Sequence, residues 1–198
     1  LKIVPSGSGF AQLTRLSELQ KQILSEQLRA LEDDFDVMFV DTGAGINEQV
    51  TDFNCAAQDI VIVTTPEPHA MTDAYALIKV LHQDYKLNKF NLLVNMVRSD
   101  EQGTKVSSRI SEVSDKYLGI RVNYLGCVPM DNQVQMLILN RMAGSDQLIH
   151  TLAGQAWNRV ALNFFNAKDS PKEKDQEDFW QKLLWTTQDN RAIRNTII

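Results

Sequence analysis

Ile60-Val61-Ile62-Val63-Thr64-Thr65 is β-branched without interruption and runs straight into Pro66. A run with no polar alternation has to be buried on both faces, which is the situation of a strand inside a parallel sheet covered by helices. The rest of the chain supplies matching parts. Leu16, Leu19, Ile23, Leu24, Leu28 and Leu31 recur at helical spacing behind Ser17 as a cap. A strand is expected over residues 37–40, a helix over 48–57, and an apolar helical stripe at Met71, Ala74, Tyr75, Ile78 and Leu81 in a helix starting near Thr72. Further strands follow at residues 90–94 and 122–128. Helices are expected at residues 104–117, with Val106, Ile110 and Val113 inward, and at residues 133–140 and 146–165. Strands alternating with helices make βαβ units. The expected fold is α/β, a doubly wound, mostly parallel sheet flanked by helices, with a C-terminal helical tail.

Composition narrows the function classes. Hydrophobic residues make up 43% and charged residues 23% of the 198 residues, an ordinary balance for a globular domain. A net charge of −5 offers no global basic field, so direct nucleic-acid binding is not expected. Cys55 and Cys127 are too few for a disulfide framework and form no zinc-type pair, so both read as core thiols. His69, His82 and His150 show no metal spacing and read as surface or cap residues. No stretch approaches the ~20 apolar residues of a membrane span. Leu1-Lys2-Ile3-Val4-Pro5 reads as a strand entering a loop, not a signal peptide. With Leu1 in place of an initiator methionine, the expectation is a chain that starts partway through a gene product. The shift to Lys, Asp, Glu, Ser and Pro near residues 166–177 marks a linker, so the expected domains are residues 1–166 and a tail, residues 167–198.

The chemistry-bearing residues gather after the strands. The apolar run 35–40 ends in Asp41-Thr42-Gly43-Ala44-Gly45-Ile46, a strand delivering an aspartate to a glycine-rich turn. Open α/β sheets bind anions at that edge, where small residues let backbone N–H groups approach a phosphate. The alternative is a strand end whose aspartate caps the next helix. Thr65-Pro66-Glu67-Pro68, Asn95-Met96-Val97-Arg98 and Pro129-Met130-Asp131 follow the other strands in the same way. An asparagine amide can both donate to and accept from an adenine edge.

Together these segments resemble the MinD-like ATPases of the ParA/MinD group, and most closely their flagellar-number branch, FlhG, also called FleN. The likeness rests on residues 36–46, on Thr72-Asp73-Ala74-Tyr75-Ala76-Leu77-Ile78-Lys79-Val80-Leu81, on residues 95–99 and on residues 125–131, and it extends from about Leu1 to Met142. It implies a P-loop NTPase-like fold and the cofactors ATP and Mg²⁺. Asp41 would match the Walker B aspartate, acting on Mg²⁺ through water, and Gly43 to Gly45 the switch loop that senses the terminal phosphate. Asn95, with Arg98, would stand at the base, and Pro129 to Asp131 would close over it. Guanine-specific relatives carry N-K-x-D where this chain has N-M-V-R, so adenine is preferred. The resemblance further implies an ATP-dependent homodimer, a regulatory ATPase controlling flagellar number and placement, and a location in the cytoplasm and peripherally on the inner membrane. Its partners would be the flagellar GTPase FlhF, a flagellar transcription activator and switch-complex components.

The sequence departs from that pattern at its start. Pro5-Ser6-Gly7-Ser8-Gly9-Phe10 has no G-K-[ST] ending, so it supplies neither the phosphate-gripping lysine nor the Mg²⁺-binding hydroxyl. The expectation is a chain lacking the Walker A portion and inactive as a hydrolase by itself. In the tail, Phe179, Trp180, Leu183, Leu184 and Trp185 form an apolar face suited to a membrane interface or to packing on protein. Glu173, Asp175, Glu177 and Asp178 just upstream would be repelled by anionic lipid. Two other functions fit the same residues: a non-catalytic scaffold with a degenerate ATPase fold, and a ParA-like partition ATPase, against which the acidic net charge speaks.

Overall fold

The computed structural model describes residues 3, 17–32, 35–166 and 179–186 of the chain. The chain divides into two compact units, Leu1–Gln58 with Lys174–Ile198, and Asp59–Glu173.

In the first unit, α1 (Glu18–Glu32) opens with a reciprocal cap. Gln20 N–H donates to Ser17 Oγ at 3.3 Å, and Ser17 N–H donates to Gln20 Oε1 at 2.9 Å. Of its described side chains, Lys21 and Ser25, one i,i+4 row, are buried and Leu24 is half-buried, whereas Leu19 and Ile23 are exposed. Helix α2 (Glu48–Ala56) starts at Asn47, whose Oδ1 accepts from Val50 N–H at 3.1 Å, and buries Val50, Phe53 and Ala56. The tail is α-helical over Phe179–Gln181 and π-helical over Lys182–Thr186.

The strand expected over residues 37–40 does not form. Residues 37–43 hold no regular secondary structure, and Phe39 is 82% exposed. A parallel strand exists only through neighbours that take its N–H and C=O groups. Among the described residues of this unit there is no strand to do so, and an apolar pattern alone cannot replace the ladder. Apart from Ile3, the strand expected at the start of the chain lies outside the described residues.

The second unit holds the sheet. β1 (Val61–Thr64), β2 (Phe90–Val97) and β3 (Val122–Pro129) pair in parallel in the order β1-β2-β3. Between them run α3 (Pro68–Tyr85) and α4 (Asp100–Leu118), and after them α5 (Asn132–Leu139) and α6 (Leu152–Asn166). α3 begins at Pro68 rather than near Thr72, since proline already has a helical φ and no N–H to satisfy at a first turn. It ends at Lys86, which takes a left-handed φ of 61° while its N–H reaches His82 O at 3.0 Å.

Helices cover both faces of the sheet at β2 and β3, but the run 60–65 is not buried on both sides as expected: Ile62 and Thr64 are buried, whereas Val61 and Val63 are exposed. On one face, Ala74, Ile78 and Leu81 of α3 and Val106 and Ile110 of α4 close over Ile62, Leu92 and Val94. On the other, Ala153, Ala156 and Val160 of α6 close over Leu93, Leu125 and Val128. Each large apolar side chain fully buried here contributes roughly 1.5–3 kcal/mol. The third inward position of α4 is Ser114, wholly buried, and not Val113, because 106, 110 and 114 continue one i,i+4 row. The single helix expected over 146–165 is broken at Thr151. A 3₁₀ turn, Asp146–His150, precedes α6, and Thr151 Oγ1 accepts from Gly154 N–H at 2.9 Å to start the new helix.

Candidate functional site

The ends of β2 and β3 form one structure. Val94 pairs with Cys127 and Val97 with Pro129, so β2 carries an extra residue across Asn95 and Met96. The bulge is tight: Met96 has φ 57°, and Asn95 Oδ1 accepts from Met96 N–H at 2.9 Å. A non-glycine residue in that region costs about 1–3 kcal/mol, and such strain concentrates where the fold holds a functional loop in place. Past the bulge, Met130 N–H donates to Val97 O at 2.9 Å. The expected base-side segments, Asn95 to Arg98 and Pro129 to Asp131, are therefore neighbours on the C-terminal edge of the sheet.

Two local devices hold these loops. Ser99 caps α4, its Oγ accepting from Gln102 N–H at 3.2 Å, and Gln102 Oε1 accepts from Arg98 N–H at 2.7 Å. This is a capping box displaced by one residue, and it leaves the Arg98 side chain exposed. At the other loop, Asp131 Oδ1 accepts from Gln133 N–H at 2.8 Å and Oδ2 from Ala153 N–H at 3.1 Å. The Ala153 N–H, followed by those of Gln133, Leu152 and Val134, holds the Asp131 carboxyl below the usual carboxylate range against the opposing effect of burial. Next to it in the chain, Asn132, Met136, Asn140 and Met142 help to line an uncharged groove of about 450 Å³ between α5 and the 3₁₀ turn.

The start of α4 lies hard against β3. A Cβ added at Gly103 would come within 2.7 Å of Cys127 Cβ and 2.8 Å of Tyr124 Oη, so only glycine allows this approach. Cys127 Sγ donates to Asp100 Oδ1 at 3.4 Å. Burial first of all pushes the Cys127 thiol and the Tyr124 phenol up, keeping both protonated. Cys55 and Cys127 form no disulfide, and both are half-buried rather than the core thiols expected.

Asp41, Gly43 and Gly45 belong to the first unit. All three are exposed, Gly45 has φ 100°, and a Cβ at either glycine would meet nothing within 4 Å. One open carboxylate beside unhindered backbone suits a hydrated Mg²⁺ whose remaining ligands are phosphate oxygens and water. Among the described residues, no group of three His, Cys, Asp or Glu side chains could hold a metal by itself.

The tail face is packed on protein. Leu183 and Leu184 are buried, and Phe179 and Trp180, with rings 4.9 Å apart at 82°, lie half-buried in a cluster with Phe53 and Ala56 of α2. The side chain of Trp185 lies outside the described residues. Among the described residues, no helix is long and apolar enough to cross a membrane.

Comparison with known proteins adds the decisive observation. The chain is 34% identical over 161 residues to the antiactivator FleN of Pseudomonas aeruginosa, a match that covers 81% of this chain and 58% of that protein. The chain belongs to the MinD-like family. It is also 30% identical over 195 residues to the flagellum site-determining protein YlxH of Helicobacter pylori, covering 93% of this chain and 64% of the relative. The septum site-determining protein MinD of Synechocystis is 31% identical over 115 residues, 58% of this chain and 41% of that protein. No protein-family model matches. The chain thus spans roughly three-fifths of the length of its flagellar MinD-like relatives.

Sequence reasoning overlooked Ser99, Gln102 and Gly103. The S-x-x-Q spacing ahead of an amphipathic helix was a usable signal for the first pair. For Gly103 there was none, since its need comes from a close approach between elements distant in sequence.

Proposed function

We propose that this chain carries the base-binding loops and the Walker B aspartate of a regulatory ATPase of the FleN/FlhG type, which controls flagellar number and placement by ATP-dependent dimerisation. The observation that carries this reading is the joining of two end-of-strand loops on one sheet edge, through Met130 N–H to Val97 O at 2.9 Å and the Val97–Pro129 pairing. Asn95 offers an amide to the adenine edge, Arg98 lies exposed beside it, and Pro129 with Asp131 shapes the cover over the base. Asp41 would hold Mg²⁺ through water, and Gly43 and Gly45, with no side chain to clear, would let the switch backbone approach the γ-phosphate. Bound Mg²⁺ would supply charge neutralisation on the phosphates.

The relatives named for flagellar antiactivation and flagellum site determination support a flagellar role. The partners this implies are a second copy of the chain in the ATP state, the GTPase FlhF, a flagellar transcription activator and switch-complex components, met in the cytoplasm and at the inner membrane. Reaching lipid requires Phe179, Trp180 and Leu183 to leave Phe53 and Ala56, and buried Leu184 to become exposed, so membrane association would follow the release of the tail. ATP titration of the full-length protein, read as mass in solution, is the test. Doubling of mass with ATP and not with ADP is expected. A mass that never changes overturns the reading. Liposome co-sedimentation with and without residues 168–198 tests the anchor, and equal pelleting removes it.

A further inference from the structure

An aspartate that only caps a helix needs one oxygen, turned to the first free N–H groups of its own helix. Asp131 does this with Oδ1, on Gln133 N–H at 2.8 Å, and then uses Oδ2 on Ala153 N–H, 3.1 Å away and 22 residues along the chain. The second bond serves no purpose in capping α5. It ties the turn between β3 and α5 to the first turn of α6. That turn is itself firmly held: Thr151 Oγ1 accepts from Gly154 N–H at 2.9 Å, and a Cβ on Gly154 would collide with Leu148 O. Further along, α6 packs Ala153, Ala156 and Val160 on the sheet, and Asn163 Nδ2 donates to Leu125 O at 2.9 Å. This last bond takes up the carbonyl freed where β3 bulges, beside Gly126 at φ 136°. The loop of Pro129 and Met130 is thus held on one side by Val97 O and on the other by a helix bolted to the sheet.

We propose that Asp131 is a positioning residue of the adenine pocket, setting the pose of the Pro129–Met130 backbone over the base through α6 without touching the base itself. This rests on the nucleotide reading above. A carboxylate is an acceptor only, and each oxygen of Asp131 already takes a main-chain N–H. In this proposal its contribution to binding passes through the backbone it holds and is independent of the 6-amino group of the base.

The test uses the full-length protein, the variants Asp131→Asn and Asp131→Ser, and three ligands: ATP, ADP and purine riboside triphosphate, which lacks the 6-amino group. Asn and Ser each retain an oxygen for Gln133 N–H. The Asn amide nitrogen cannot accept from Ala153, and the Ser hydroxyl is too short to reach it. Loss of that tie should raise Kd about tenfold, equal to ~1.4 kcal/mol, by the same factor for all three ligands. Turnover at saturating ATP should stay within about twofold, because the ground state and the transition state lose the same binding. Amide exchange at Ala153 should quicken in both variants while the rest of α6 keeps its protection. A loss seen with ATP and ADP but not with purine riboside triphosphate would mean direct contact with the base and overturn the proposal. An unchanged Kd in either variant would reduce Asp131 to a helix cap. If the unaltered full-length protein binds no nucleotide, the functional reading fails first, and this role with it.

Discussion

The two regions assigned to nucleotide chemistry are built in opposite ways. Residues 95–98 and 129–131 are bound by the Val97–Met130 bond, the Ser99–Gln102 cap and the two bonds of Asp131, over a core in which Leu92 and Val94 are wholly buried. Residues 41–46 are exposed throughout, and the glycines within them touch nothing where a side chain would stand. The first set of loops is fixed by the fold, and the second is left open. If the second carries the proposed switch, openness suits a loop that has to respond to a phosphate being present or gone. The difference teaches that glycine-rich and polar loops in one chain can be fixed by hydrogen bonds in one unit and left without such ties in another.

The sharpest way to break the comparison is to cut each region by the same chemistry. Leu92→Ala should cost about 2–5 kcal/mol in urea unfolding, with the cavity it leaves in a full core. Phe39→Ala, at a side chain 82% exposed, should stay within about 0.5 kcal/mol. Equal losses would show that the two regions are packed alike after all.

Gly103→Ala should destabilise by about 1–3 kcal/mol, since its methyl group has to displace Cys127 and Tyr124. Pairing it with Cys127→Ala should recover part of the loss, and no recovery would place the strain elsewhere. In the full-length protein, Asp41→Ala should lower hydrolysis at least about tenfold, ~1.4 kcal/mol on the barrier, with an unchanged melting temperature. A fall in melting temperature would mean that the phosphate-side loop is a packed element.

The smallest expected effect is a pH dependence confined to the base side. Asp131 has a folded-state pKa lowered from its ordinary value, so the stability it contributes is present above about pH 3.9 and is lost as pH falls through the lowered value. Exchange at the Ala153 amide, normalised for its intrinsic pH dependence, should lose protection in that acid range, while α3 keeps its own. Protection of Ala153 that is constant down to the unfolding of the whole unit would count against the tie.

Much of this was legible in one dimension. The β-branched run 60–65, the strands near 90 and 122 and the stripe Ala74, Ile78, Leu81 all express local periodicity, and each became a strand or an inward helix face. Ser17 announced its cap. The failures share a cause. Residues 37–40 look like a strand by composition, but a ladder depends on a neighbour, which composition does not carry. Leu19 and Ile23 look inward by spacing, yet the buried row is Lys21 and Ser25. The break at Thr151 depends on a hydroxyl bond and on Leu148 O passing over Gly154, a contact no periodicity records.

Within the site the division is similar. The residue types at 41–45, 95–98 and 129–131, the alternation that orders them after strands, and the family they point to were determined by the sequence itself, because strand ends and turns are local chemistry. Which oxygen of Asp131 meets which N–H, why residue 103 has to be glycine, and that Leu183 lies against α2 were decided only in the tertiary structure. Those outcomes hinge on atoms brought within about 3–4 Å from positions far apart in the chain, where packing sets the choice and propensity does not.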